Sequence, residues 1–179
     1  MENQNMQRIQ RVSKKFRVLF AVLSLCIPIL VLLYWLLFNH LPAGFIMQLP
    51  VAVKSSLPMG TLVMAFFVSL IPTSVAIYGL INLNRLFRLY EQAIVFSEQN
   101  VLYFRRIGYT LIYWVVANQL FTVLISLTLT FNNPPGERML VAQLAISDIG
   151  SLIIGGVVVL VSWVMNEATK MEHEQAYTV

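Results

Sequence analysis

The chain has 179 residues, 58% of them hydrophobic and 11% charged, with a mean hydropathy of +0.75, against about a quarter charged in soluble domains. That composition excludes a water-soluble globule, and the length leaves room for about four membrane-crossing helices of roughly 20 residues with no separate soluble domain. A formal charge of +4 is the basic excess expected at the cytoplasmic face of a membrane protein rather than a nucleic-acid footprint, and a single cysteine, Cys26, excludes an intrachain disulfide and CxxC chemistry.

Residues 1–17 carry Arg8, Arg11, Lys14, Lys15 and Arg17 against one acid, Glu2. Met6, Ile9, Val12 and Phe16 recur at helical spacing, so the segment reads either as a short amphipathic helix lying on anionic lipid or as a polar tail. Residues 18–38 form span one, because the run is uncharged, too long for a signal-peptide core and not followed by a small-x-small cleavage signature. Pro28 removes a backbone donor near its middle, while Tyr34 and Trp35 suit an interfacial end. Residues 39–58 are broken by Pro42, Pro50 and Pro58 yet contain Leu41, Phe45, Ile46, Met47, Leu49 and Val51. This predicts a segment at the membrane surface or folded back over the mouth of the helices. His40 and His173 are placed on opposite faces, so no metal or haem ligand pair is expected, and no cofactor.

Span two covers residues 59–83, with Thr73 and Ser74 placed to satisfy carbonyls freed by Pro72. Span three covers residues 107–131 and holds Asn118, Gln119, Thr122, Ser126 and Thr130, the last four on one face at helical spacing. That face should meet other helices, since interhelical hydrogen bonds are worth about 1 kcal/mol; a polar pathway is the alternative. Residues 132–136, Asn-Asn-Pro-Pro-Gly, make an abrupt turn before span four at residues 142–165. Span four carries Asp148, the one ionisable carboxyl inside an expected span, and such a group costs about 2.5–3.5 kcal/mol at a helix centre. By depth its partners are Thr122 and Ser126. It either locks spans three and four together or takes part in a proton or cation relay, although no second buried charge accompanies it. Ser147, Gly150, Ser151, Gly155 and Gly156 keep the neighbouring surface small, which serves intramolecular packing and self-association equally.

Basic residues set the orientation. Ten lie on the side of the termini and of the segment between spans two and three, against Lys54 and Arg138 on the other. Both termini and the hinge at residues 84–106 are therefore expected to be cytoplasmic. Leu86, Leu89, Tyr90, Ala93 and Ile94 keep helical spacing, so span two should continue past the lipid. Ser97 reads as an N-cap with Glu98 in the first turn, the capping box being imperfect because Asn100 holds the third helical position. Arg85, Arg88, Glu98, Arg105 and Arg106 form the candidate contact surface, for phospholipid phosphates or for a cytosolic protein. Glu167, Glu172 and Glu174 lie on the same side, as potential partners for these arginines. The expected fold class is all-α: a polytopic membrane protein with four transmembrane helices in one bundle and a helical cytoplasmic extension between spans two and three.

Phe96, Ser97, Asn100, Arg105, Arg106 and Gly108 resemble a Phe-Ser/Thr-x-x-Asn turn followed by a basic pair and a glycine. Glu174, Gln175, Thr178 and Val179 resemble an acidic-polar end closing on threonine and a β-branched residue. Both signatures are similar to those of a bacterial four-helix inner-membrane family known only as domain-of-unknown-function family 2975. Members commonly carry a glycine a few residues before the Phe; here Ala93 stands in that neighbourhood, which implies a tighter helical turn. The resemblance also implies a neighbouring helix-turn-helix regulator as partner, and it brings no catalytic residues.

Two functional classes follow. One is a non-enzymatic inner-membrane protein that contacts the bilayer and a cytosolic protein such as that regulator, with no direct contact to nucleic acid. The other is a small transporter or channel subunit using Asp148 with Asn118, Gln119, Thr122 and Ser126. An enzyme is disfavoured, since no nucleophile–base pair, phosphate cradle or metal set is present in the sequence.

Overall fold

A computed structural model of the chain describes residues 2–42, 49–53, 56–94, 97–134 and 136–176, with side chains described between residues 6 and 171. Phe45, Ile46, Met47, Lys54, Phe96 and the side chains of Glu172, His173 and Glu174 lie outside the described residues, as do Thr178 and Val179. The fold is all-helical: α1 Glu2–Leu37, a short 3-10 turn Phe38–His40, α2 Met59–Glu91, α3 Glu98–Thr130 and α4 Ile146–Ala176. All four long helices are long and apolar enough to cross a membrane.

Each helix packs antiparallel on its chain neighbour, α1 on α2, α2 on α3 and α3 on α4. α1 and α4 do not pack along each other, so the helices form an open row rather than a closed bundle. Two ends can be distinguished: a loop end, with residues 38–58 and 131–145, and a hairpin end, where α2 turns into α3. The apolar core sits toward the loop end, where Trp35, Phe38, Leu62, Ala65, Ile125 and Leu129 are buried together. Leu49, Val53 and Leu57 pack onto this cluster, so the described part of the proline-rich loop folds back over the helices. Asn39 fixes it by donating to the Leu57 carbonyl and accepting from the Leu57 N–H, both at 3.0 Å.

Several local expectations are revised. The basic N-terminus is no separate interfacial helix, because α1 is continuous from Glu2. Phe16 and Phe20 pack on Phe87 at 5.3 and 5.4 Å, and the Arg17 guanidinium pairs with Glu91, so this segment is held against α2. Trp35 is turned inward: it is 3% exposed and donates its indole N–H to Ser69 Oγ at 2.8 Å. Pro72 leaves the Val68 carbonyl without its usual donor, but Thr73 donates to Ser69 O and Ser74 to Ile71 O, both at 2.7 Å, so neither hydroxyl reaches it.

α2 stops at Glu91 rather than running on through Ile94. The N–H of Ile94 bonds Leu89 O at 3.0 Å and that of Ala93 bonds Tyr90 O at 3.1 Å, the paired bonds of a Schellman termination. Ala93 therefore holds the left-handed position at φ 62°. The turn is not tighter helix; alanine adopts the conformation that glycine takes without a Cβ penalty.

Candidate functional site: the Asp148 junction and the arginine-bearing hairpin

α4 begins at Ile146, four residues later than expected, and Asp148 is the reason. It is 2% exposed. Its Oδ2 accepts from the Ala145 N–H at 3.0 Å and from Gln119 Nε2 at 3.1 Å, and its Oδ1 accepts from Asn118 Nδ2 at 3.4 Å. An acidic side chain in the first turn that reaches back to the N–H just before the helix is one half of a capping box, and its charge complements the helix dipole. The partners are thus Asn118 and Gln119, about one turn along α3 from the expected Thr122 and two from Ser126. Thr122 donates to its own helix at Asn118 O, and Ser126 to Val123 O.

The non-helical stretch before α4 explains what the polar face of α3 does instead. Gln119 Nε2 donates to Gln143 O at 3.0 Å, Ser126 Oγ accepts from the Val141 N–H at 3.0 Å, and Thr130 Oγ1 accepts from the Met139 N–H at 3.1 Å. Every second residue from Met139 to Gln143 is thereby tied to α3. Backbone groups outside a helix need such partners wherever water is excluded. Eleven residues separate Gln119 from Thr130, so this stretch descends about 16 Å along α3 before α4 starts. The polar face thus holds unwound backbone rather than the neighbouring helix that was expected.

Below the junction α3 and α4 touch at Gly108 and Gly155. A Cβ on Gly155 would lie 2.9 Å from Gly108 O, and one on Gly108 would meet Gly155 O at 2.9 Å and Val159 Cγ2 at 2.7 Å. Gly150 and Gly156 meet nothing within 4 Å, so among the glycines of α4 it is Gly155 that serves this crossing. On the other side of Asn118, a cavity of about 440 Å³ lies between α1, α2 and α3, bordered by Tyr34, Trp35, Thr73, Trp114, Asn118 and Phe121.

At the hairpin end Ser97 caps α3 as expected, its backbone extended and its hydroxyl accepting from the Asn100 N–H at 3.3 Å. Asn100 is fully buried and donates Nδ2 to Ile94 O at 3.0 Å, closing the turn from inside. Sequence reasoning had it as an imperfect capping-box residue and as part of the turn signature, with no sign of this bond. The Arg17–Glu91 pair was also missed; a lone acid at the end of an apolar helix, beside a basic segment, was the available signal. Arg85, Arg88, Glu98 and Arg105 are exposed, and Arg106 is half-buried with its guanidinium 5.9 Å from the Tyr103 ring. Among the described residues none of these four arginines pairs with a carboxylate, and Glu167 pairs with Lys170 instead. The five candidate contact residues do not all face one way: successive helical positions turn by about 100°, which separates Arg105 from Arg106, whereas Arg85 and Arg88, three positions apart on α2, are neighbours.

The family described as protein of unknown function (DUF2975) matches residues 49–179. The chain belongs to this family. The match takes in α2, α3, α4 and both junctions described above, and α1 lies outside it. No curated protein and no solved structure matches the chain. Within this family member, the turn residues that carried the resemblance have identifiable work: Ser97 caps α3, Asn100 closes the turn, and Gly108 is the crossing point with α4.

Proposed function

We propose that this DUF2975 protein is a non-enzymatic, multi-pass protein of the bacterial inner membrane, with both termini and the α2–α3 hairpin in the cytosol, where the hairpin presents a cationic surface to a protein partner. The observation that supports this reading is a hairpin whose two helices bear arginines that no carboxylate among the described residues neutralises. The Schellman bonds, the Ser97 cap and the buried Asn100 anchor the described ends of the turn between those helices. A helix-turn-helix regulator is the partner class that the family resemblance suggests. Co-purification from native membranes in mild detergent tests it. Recovery of a cytosolic protein that is lost on charge reversal at Arg88, Glu98 and Arg105 supports docking, and unchanged recovery removes it.

A small transporter or channel subunit is the second reading, favoured by one observation: α4 is preceded by unwound backbone at the depth of a buried carboxylate. Interrupted helices of this kind build ion and substrate sites in transporters. Against it, the Asp148 oxygens are already engaged by three N–H groups, which is the arrangement of a structural lock. Flux through reconstituted protein decides: transport that Asp148→Asn abolishes supports the second reading, and equal or absent flux removes it.

A further inference from the structure

Tyr78 on α2 and Tyr113 on α3 line a shallow depression together with Ser74 and Val75, on the side of the α2–α3 seam facing away from the cavity between α1, α2 and α3. Seven residues along α2 from Tyr78 comes Arg85, and seven residues back along α3 from Tyr113 comes Arg106. Seven residues are nearly two full turns, so each arginine lies on the same stripe as its tyrosine. The helices are antiparallel, with Gly79 against Thr110, so both steps lead toward the hairpin end and place Arg85 and Arg106 across the seam from each other at one level.

That level is deeper than the first charges on the outer helices. Trp35 bonds Ser69 and Arg17 bonds Glu91, which sets Arg85 opposite the uncharged stretch of α1 around residue 22. Gly108 against Gly155 and Val159 sets Arg106 opposite the uncharged stretch of α4 around residue 160. The nearest charged positions on those helices are Arg17 and Glu167. Five residues separate the levels on α1 and seven on α4, so the backbone positions of the two arginines lie about 7–10 Å nearer the apolar middle of the row, from which their long side chains reach back toward the hairpin end. If the row spans a bilayer, they stand at the boundary of headgroup and acyl chain, where lipid phosphate is the available counter-ion.

We infer that Arg85 and Arg106 clamp the phosphate of an anionic glycerophospholipid whose acyl chain lies along the Tyr78–Tyr113 depression. Two guanidinium groups carried at one level on adjacent helices suit phosphate oxygens, and basic sites between helices at a membrane face recognise anionic headgroups. The apolar depression adds chain contacts that a free phosphate cannot make. The inference rests on the chain being a membrane protein and not on a protein partner: loss of the partner with lipid binding retained would remove the docking reading alone.

Native mass spectrometry of the protein in neutral detergent, titrated with phosphatidylglycerol, phosphatidylcholine or glycerol phosphate, tests this. Phosphatidylglycerol should be retained in preference to phosphatidylcholine, and glycerol phosphate should not compete it off at equal concentration. Arg85→Gln with Arg106→Gln should weaken phosphatidylglycerol binding on the order of tenfold, whereas Arg88→Gln with Arg105→Gln, the same charge change off the seam, should leave it unchanged. Equal retention of the two lipids by the unmutated protein, or equal competition by glycerol phosphate, overturns the inference without any variant. An equal loss in both arginine pairs does so too, by showing a non-specific charge effect.

Discussion

Asp148 accepts a hydrogen bond from Gln119 across the α3–α4 boundary at 3.1 Å. The oxygen involved also caps the start of α4 through the Ala145 N–H, so one carboxylate sets both where the helix begins and which turn of α3 it rests on. Asp148→Ala removes a cap and takes an acceptor from the half-buried amides of Asn118 and Gln119, an expected loss of about 1–2 kcal/mol. Gln119→Ala should cost more than Asn118→Ala, because the Asn118 contact is long at 3.4 Å. Thermal unfolding in mild detergent ranks the three variants, and a larger effect at Asn118 than at Gln119 would contradict this geometry.

The glycines of α4 divide into a packed one and open ones. Gly155→Val places carbon atoms against Gly108 O and the Leu111 and Ile112 side chains, contacts already at 2.9–3.2 Å for a single Cβ, and should separate α4 from α3. Gly150→Ala and Gly156→Ala enter open space and should be neutral or stabilising by up to about 1 kcal/mol, the helix-propensity difference. Disulfide trapping between cysteines placed on α3 and α4 near this crossing reads the outcome directly. Trapping that survives Gly155→Val would show that the close approach is dispensable.

Composition and helical period made the four helices legible, and Ser97 was legible because an N-cap is a local device. The start of α4 was not, since residues 142–145 are as apolar as the helix they precede. A side chain reaching back from Asp148, and acceptors and donors on α3 some 9–24 residues away in the chain, hold that stretch unwound. The burial of Trp35 was hidden for a similar reason. An aromatic at a helix end gives no sign that a loop folds back over it, and here Leu49, Val53 and Leu57 do so. The polar period of α3 was legible, yet periodicity carries no record of whether a partner is helix or bare backbone.

Ala93 holds a left-handed conformation at φ 62°, which costs a residue with a Cβ about 1–2 kcal/mol relative to glycine. Ala93→Gly should therefore stabilise the protein by roughly 1 kcal/mol, offset in part by the freedom glycine adds to the unfolded chain. Ala93→Val, β-branched at the same position, should destabilise it. Midpoints from thermal unfolding in detergent check the order glycine above alanine above valine. A valine variant matching the parent would mean that the turn is not closed in solution as it is here.

Ser126 and Thr130 hold the backbone that precedes α4, and removing their hydroxyls should release it. Thr130→Val leaves the Met139 N–H without its acceptor, and Ser126→Ala does the same to Val141. Each loss is worth about 1–3 kcal/mol where water is scarce, so amide exchange at those two positions should quicken roughly ten- to a hundredfold. Thr128→Val provides the control, because that hydroxyl is exposed and bonds only Leu124 O within its own helix. Hydrogen–deuterium exchange on the protein in lipid nanodiscs would resolve the segment. Equal exchange in Thr130→Val and Thr128→Val would show that solvent, rather than α3, satisfies this stretch of chain, and the junction at Asp148 would then lose its support from the loop end.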